Sequence, residues 1–107
     1  MSVEFAELAK LVRHDDRRMR LVLRDFGHTV AADLLRLERA AAADKWHTVR
    51  ELARFIEASC LQIGERKAAN AAATLGAIPG ELFADAYATR RAQIVELLHR
   101  AKEFSGY

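Results

Sequence analysis

Apolar residues recur along this chain at three- and four-residue steps, a period that predicts helices throughout. The first segment runs from about Val3 to Val12, with Ser2 placed to accept backbone hydrogen bonds as an N-cap. The second is long, about Asp15 to Ala42. Asp15 and Asp16 suit the positive end of a helix, and Leu23, Phe26, Val30, Leu34, Leu37 and Ala41 make one stripe. Gly27 interrupts that helix at a cost of about 1 kcal/mol against alanine, which predicts a close helix contact there. Asp44 is expected to cap a third helix whose stripe of Trp46, Val49, Ala53, Ile56, Cys60 and Ile63 forms a core face. Gly64 should end it, because glycine takes the left-handed cap conformation without a steric penalty.

An alanine-rich fourth helix follows, roughly Glu65 to Leu75, closed by "GAIPG". Pro79 is expected in the first turn of the last helix, about Pro79 to Phe104, where a missing N–H costs nothing. Phe83, Tyr87, Ile94, Leu97, Ala101 and Phe104 line one side of it, with Arg90 interrupting the stripe. Long helices joined by short turns pack antiparallel. The expected fold class is therefore all-α: an up-down-up-down four-helix bundle with a short extra N-terminal helix.

Composition agrees with the pattern. At 107 residues, 51% hydrophobic and 30% charged, the chain is expected to form a single globular domain, 1–107. Cys60 is the only cysteine, so no internal disulfide can form. The opening "MSVEFAELAK" lacks the basic start and apolar run of a signal peptide, and no segment approaches the roughly 20 apolar residues of a membrane span. A cytoplasmic location with no membrane association is expected. Net charge is +2, from 17 basic and 15 acidic residues that are interspersed rather than blocked. The densest basic stretch, "VRHDDRRMRLVLR", holds Arg13, Arg17, Arg18, Arg20 and Arg24. On a helix these spread around the cylinder, and no aromatic platform accompanies them. Nucleic-acid binding is not expected.

The stretch "AAAADKWHTVRELARFIEASCLQIG" carries a resemblance. Its order and spacing resemble the histidine-containing phosphotransfer (HPt) domains of bacterial phosphorelays, and the likeness extends from about Phe5 to about Phe104. That family has a long second helix ending in alanines, then Asp-Trp opening the third. An alanine precedes the phosphoacceptor histidine, which begins a signature of His, any residue, Leu, Lys, Gly. Here Trp46 lies eight residues before Arg54 and Gly64 ten after it, so the family histidine falls on Arg54, its lysine on Glu57 and its glycine on Ala58. The scaffold matches while the chemistry does not. A second register places "HTVRE" on the signature, with His47 as acceptor and Arg50 as the basic residue. It leaves seventeen residues to Gly64 instead of ten and puts Glu51 at the glycine position.

What the departures imply is chemical. Phosphoryl acceptance needs a neutral nitrogen with a lone pair. The Arg54 guanidinium stays protonated and offers only donors. The family lysine supports the phosphoryl charge, and Glu57 reverses that sign. The glycine leaves room beside the imidazole, and Ala58 fills part of it. The resemblance thus implies a degenerate member: no catalytic residue, no cofactor, not an enzyme, with a receiver domain or a histidine kinase as the partner it binds without transfer.

Spacing adds a candidate docking face. Arg50, Arg54, Glu57, Ala58 and Leu61 are separated by four, three, one and three residues, which places them on one helix face opposite the core stripe, with Phe55 and Leu61 flanking. Glu51 and Glu57, three residues either side of Arg54, are expected to hold it in surface ion pairs. Elsewhere the four histidines at 14, 28, 47 and 99 show no metal-ligand spacing, and no metal site is expected. Cys60 reads as a small apolar core residue rather than a reactive thiol. Oligomeric state has no signal in the sequence.

Overall fold

A computed structural model describes residues 4–106, all-helical and without a strand among them. Five α-helices follow one another: α1 (Ala6–Leu11), α2 (Asp16–Ala42), α3 (Trp46–Gln62), α4 (Arg66–Ala77) and α5 (Phe83–Ser105). A single 3-10 turn, Gly80–Leu82, leads into α5. The expected cap Ser2 and the expected first helical residue Val3 lie outside the described residues. The helix itself begins later than its pattern suggested, because Phe5 at its N-cap is held in the left-handed region, φ 56°.

The local chemistry explains most boundaries. Asp15 caps α2, its carboxylate accepting a hydrogen bond from the Arg18 amide at 3.2 Å. Gly64 (φ 76°) ends α3 as expected: its N–H donates to the Leu61 carbonyl and the Glu65 N–H to that of Cys60. Asp44 does something else than expected. It does not cap α3, whose N-cap is Lys45 with no side-chain bond. Instead Asp44 takes the left-handed conformation, φ 56°, and closes α2 through Asp44 N–H to Ala41 and Lys45 N–H to Ala40. Aspartate is one of the few non-glycine residues that tolerates this region. Arg13 (φ 55°) closes α1 in the same way. Pro79 also departs from expectation. It stands before the 3-10 turn with φ −57° and ψ 146°, and it forces Ile78 into extended backbone, so α5 proper starts only at Phe83.

α2 packs on α3 and α5, and α4 packs on the same two helices, so the four longer helices close around one core. The 27 residues of α2 give a rod of about 40 Å, close to the 44 Å long axis of the molecule. Leu23, Val30, Leu37, Ile56, Leu75, Ile94 and Leu97 are fully buried along it. On α2 the stripe ends at Ala40 rather than Ala41, which is only half-buried. Alanine and glycine let α3 and α4 approach closely: a Cβ on Gly76 would lie 3.2 Å from that of Ala53.

Each end is fixed differently. At one, Trp46 meets Phe83 at a tilt of 54° with centroids 5.4 Å apart, and Phe83 stacks on Tyr87 at 5.0 Å. Tyr87 Oη is buried there without a hydrogen bond of good geometry; burial, then the Glu38 carboxylate, push the phenol up, with Arg91 opposing. At the other end α1 is strapped down. Phe5 meets Phe104 edge-on at 5.9 Å, Arg66 binds Glu7 at 2.7 Å, and Arg100 gathers Glu4, Glu65 and Glu96. Asp33 on α2 is a buried carboxylate paired with Arg36 at 3.5 Å; burial raises its pKa and Arg36 draws it back.

Gly27 overturns one expectation. A Cβ there would meet nothing within 4 Å, so no helix approaches closely. The reason is a cavity of about 280 Å³ between α2 and α5, whose wall includes Gly27. Without a packing need, the glycine contributes nothing to the stability of its helix and weakens it. Gly27→Ala is therefore expected to stabilise the protein by about 1 kcal/mol, raising Tm by roughly 4–8 °C in a thermal melt.

Candidate functional site

α3 is covered by α2 on one side and α4 on the other, and its remaining arc faces solvent. The α4 side is marked by Ala53 and the Arg50 carbonyl, which lie against Gly76. The α2 side is marked by Ser59 and Gln62, which share a groove with Val22 and Phe26. At about 100° per residue, Val49, Leu52, Ala53, Ile56 and Cys60 turn inward and are buried. Leu52 joins the expected stripe, and Trp46 is only half-buried at its start.

Around the open arc come Arg50, Leu61, Arg54 and Ala58 in that order, all exposed. Glu57 sits at the α4 edge and is half-buried. Phe55 lies beyond Ala58 by about 60°, towards α2. Arg50, Arg54, Ala58 and Leu61 thus share a face, Glu57 borders it, and Phe55 stands on its far edge. Phe55 is 51% exposed and Leu61 52%, large apolar side chains standing in water on either flank of the arginine.

Arg54 stands at the midpoint of α3, eight residues from Trp46 and eight from Gln62. The ion pairs expected with Glu51 and Glu57 are not formed. Glu51 turns back one helical turn to His47, with Oε2 3.4 Å from Nε2, and no partner of Arg54 exists among the described residues. The physical reason is that a solvated pair gains little Coulomb energy and must order two long side chains to do so. The consequence is a guanidinium with all of its donors unspent, at the centre of an exposed face.

The other candidates are placed as follows. His47 is the second residue of α3, with its side chain 86% exposed, and among the described residues it carries no partner but Glu51. Cys60 is buried and its thiol is pushed up to about 12, by burial first and Glu65 second, which leaves no thiolate near neutral pH. Among the described residues no three His, Cys, Asp or Glu side chains come together as a metal site requires, and no helix is long and apolar enough to cross a membrane. The α2–α5 cavity was missed by spacing rules. Its only sequence signal is Gly27, a glycine in mid-helix that packing does not need. The basic stretch is also less scattered than its helical positions suggest: Arg17 and Arg20 border one surface hollow with Leu21 and the end of α5, and Arg24 lines the adjacent cavity. No family model matches this chain, and neither a curated protein nor a solved structure does.

Proposed function

We propose that this chain is an HPt-like up-down-up-down bundle that has lost its phosphoacceptor and docks a response-regulator receiver domain, or a histidine kinase, without phosphoryl transfer. The observation that carries the reading is the unpaired, exposed guanidinium of Arg54 at the midpoint of α3, where the resembling domains present their histidine. A receiver's phosphorylation pocket is lined by aspartates. A cation with free donors, flanked by Phe55 and Leu61, complements an acidic pocket with an apolar rim. Arginine cannot accept the phosphoryl group, because it has no lone pair to offer.

Mixing the protein with a phosphorylated receiver tests this directly. Stable binding is expected, with amide shifts centred on Arg50, Arg54 and Ala58, and with no acid-labile, base-stable label on this chain. Arg54→His alone is expected to restore little transfer, since Glu57 opposes the phosphoryl charge and Ala58 crowds the imidazole. Brisk labelling of that variant would show that those two positions have been overweighted. The exposed His47 keeps one competing reading alive: label on the unmodified chain that disappears in His47→Ala would make it an active phosphotransfer protein. Absence of binding to any receiver or kinase would leave a helical interaction module outside phosphorelays.

A further inference from the structure

The cavity between α2 and α5 has a composition that the α3 face does not account for. Its apolar lining is the buried Leu23, the half-buried Leu98 and the exposed Ala31, and its wall opens at Gly27. Around the rim stand His28 and Arg24 from α2 and His99 and Lys102 from α5. Among the described residues no carboxylate lines it. Arg24 is held by Asp25 at 3.1 Å, so the charge that faces an occupant comes chiefly from Lys102, with the two imidazoles as further donors. Arg17 and Arg20, in the hollow that continues past Ser105, extend the positive field along the same side of α2.

We infer that this cavity binds a small amphiphilic organic anion, its hydrocarbon body on Leu23, Ala31 and Leu98 and its acidic head between Lys102, His28 and His99. Three features converge on that chemistry. The cavity, about 280 Å³, is just below the roughly 300–1,000 Å³ of drug-sized sites, which suits a small ligand. Its apolar lining and convergent donors divide a ligand into a greasy part and a charged part, as such sites do. And Gly27 keeps the space open at a cost to helix stability that no packing contact requires. Inorganic phosphate satisfies the rim alone, a neutral alcohol the apolar lining alone; only a molecule with both parts uses the whole site.

Octanoate is the probe, with octanol and inorganic phosphate beside it, read by amide shifts in the full chain. Octanoate at millimolar concentration is expected to give saturable shifts centred on Gly27, His28, His99 and Lys102. Octanol should bind at least about tenfold more weakly, as expected when a charge-assisted contact is lost, and phosphate should leave Gly27 unmoved. Lys102→Gln should bring octanoate down to the level of octanol. Gly27→Leu, which places a side chain in open space and improves helix propensity, should abolish binding while helical content and Tm are kept. Equal binding of octanoate and octanol, shifts centred elsewhere, no saturable shift, or undiminished binding in Gly27→Leu would each overturn the assignment.

Discussion

Arg54→Glu is expected to weaken receiver binding by about 30-fold or more, the effect of losing roughly 2 kcal/mol at an interface anchor, while lowering the melting temperature only by the few degrees that new repulsion with Glu51 and Glu57 costs. The two halves of that prediction have separate causes. Arg54 is exposed and has no ion pair among the described residues, so its replacement breaks nothing that holds the fold. At the proposed docking face the same change would remove a cation from an acidic pocket and put a carboxylate in its place, and like charges across an interface cost several kcal/mol. Arg54→Lys should fall between, keeping the charge but losing the planar fork of donors. Salt supplies the second measurement. Binding by the natural chain should weaken as salt shortens the screening length below about 8 Å, and binding by Arg54→Glu should respond in the opposite sense. Calorimetric titration of a receiver domain against the three proteins decides it. Equal affinities would remove Arg54 from the interface and with it the reason to regard α3 as a docking helix.

How much of the structure is legible in the sequence depends on whether a residue's role is local or shared. The order of the helices, the Asp15 start of α2 and the Gly64 stop of α3 are local matters of periodicity and capping, and all were legible. Asp44 was not, since a non-glycine residue in the left-handed region closes one helix where its type suggests opening the next. Gly27 was misread because a glycine in mid-helix signals space without saying whether a helix or a cavity fills it. The face of Arg50, Arg54, Ala58 and Leu61 follows from helical steps alone. The pairing of Arg54 does not, because its neighbours Glu51 and Glu57 have alternatives and water competes with every one of them. Shared contacts, such as Arg100 with Glu4 and with Glu65, reach across 96 and 35 residues of chain and leave no trace in local pattern.

Gly64→Ala should be among the most damaging single changes available to this fold, costing about 2–4 kcal/mol. Two terms contribute. The first is the backbone: at φ 76° a Cβ costs about 1–2 kcal/mol. That term alone is bearable, since Arg13 and Asp44 close α1 and α2 from the same region with side chains in place. The second term is a clash with α1. A Cβ there would stand 2.5 Å from the Cβ of Glu7 on α1, and a Cβ does not move aside by changing rotamer. α1 would have to lift, straining the Arg66–Glu7 pair and the burial of Phe5, Leu8 and Ala9 beneath it. Gly106 supplies the control. It has nearly the same φ, 80°, but nothing lies within 4 Å of a Cβ, so Gly106→Ala carries the backbone term only. In thermal melts, Gly64→Ala should lose roughly 10–25 °C at 4–8 °C per kcal/mol, about twice the loss in Gly106→Ala. Equal losses in the two variants would mean that α1 does not press on the α3–α4 turn, and that the strap formed by Phe5, Glu7 and Arg66 is not what fixes that end of the molecule.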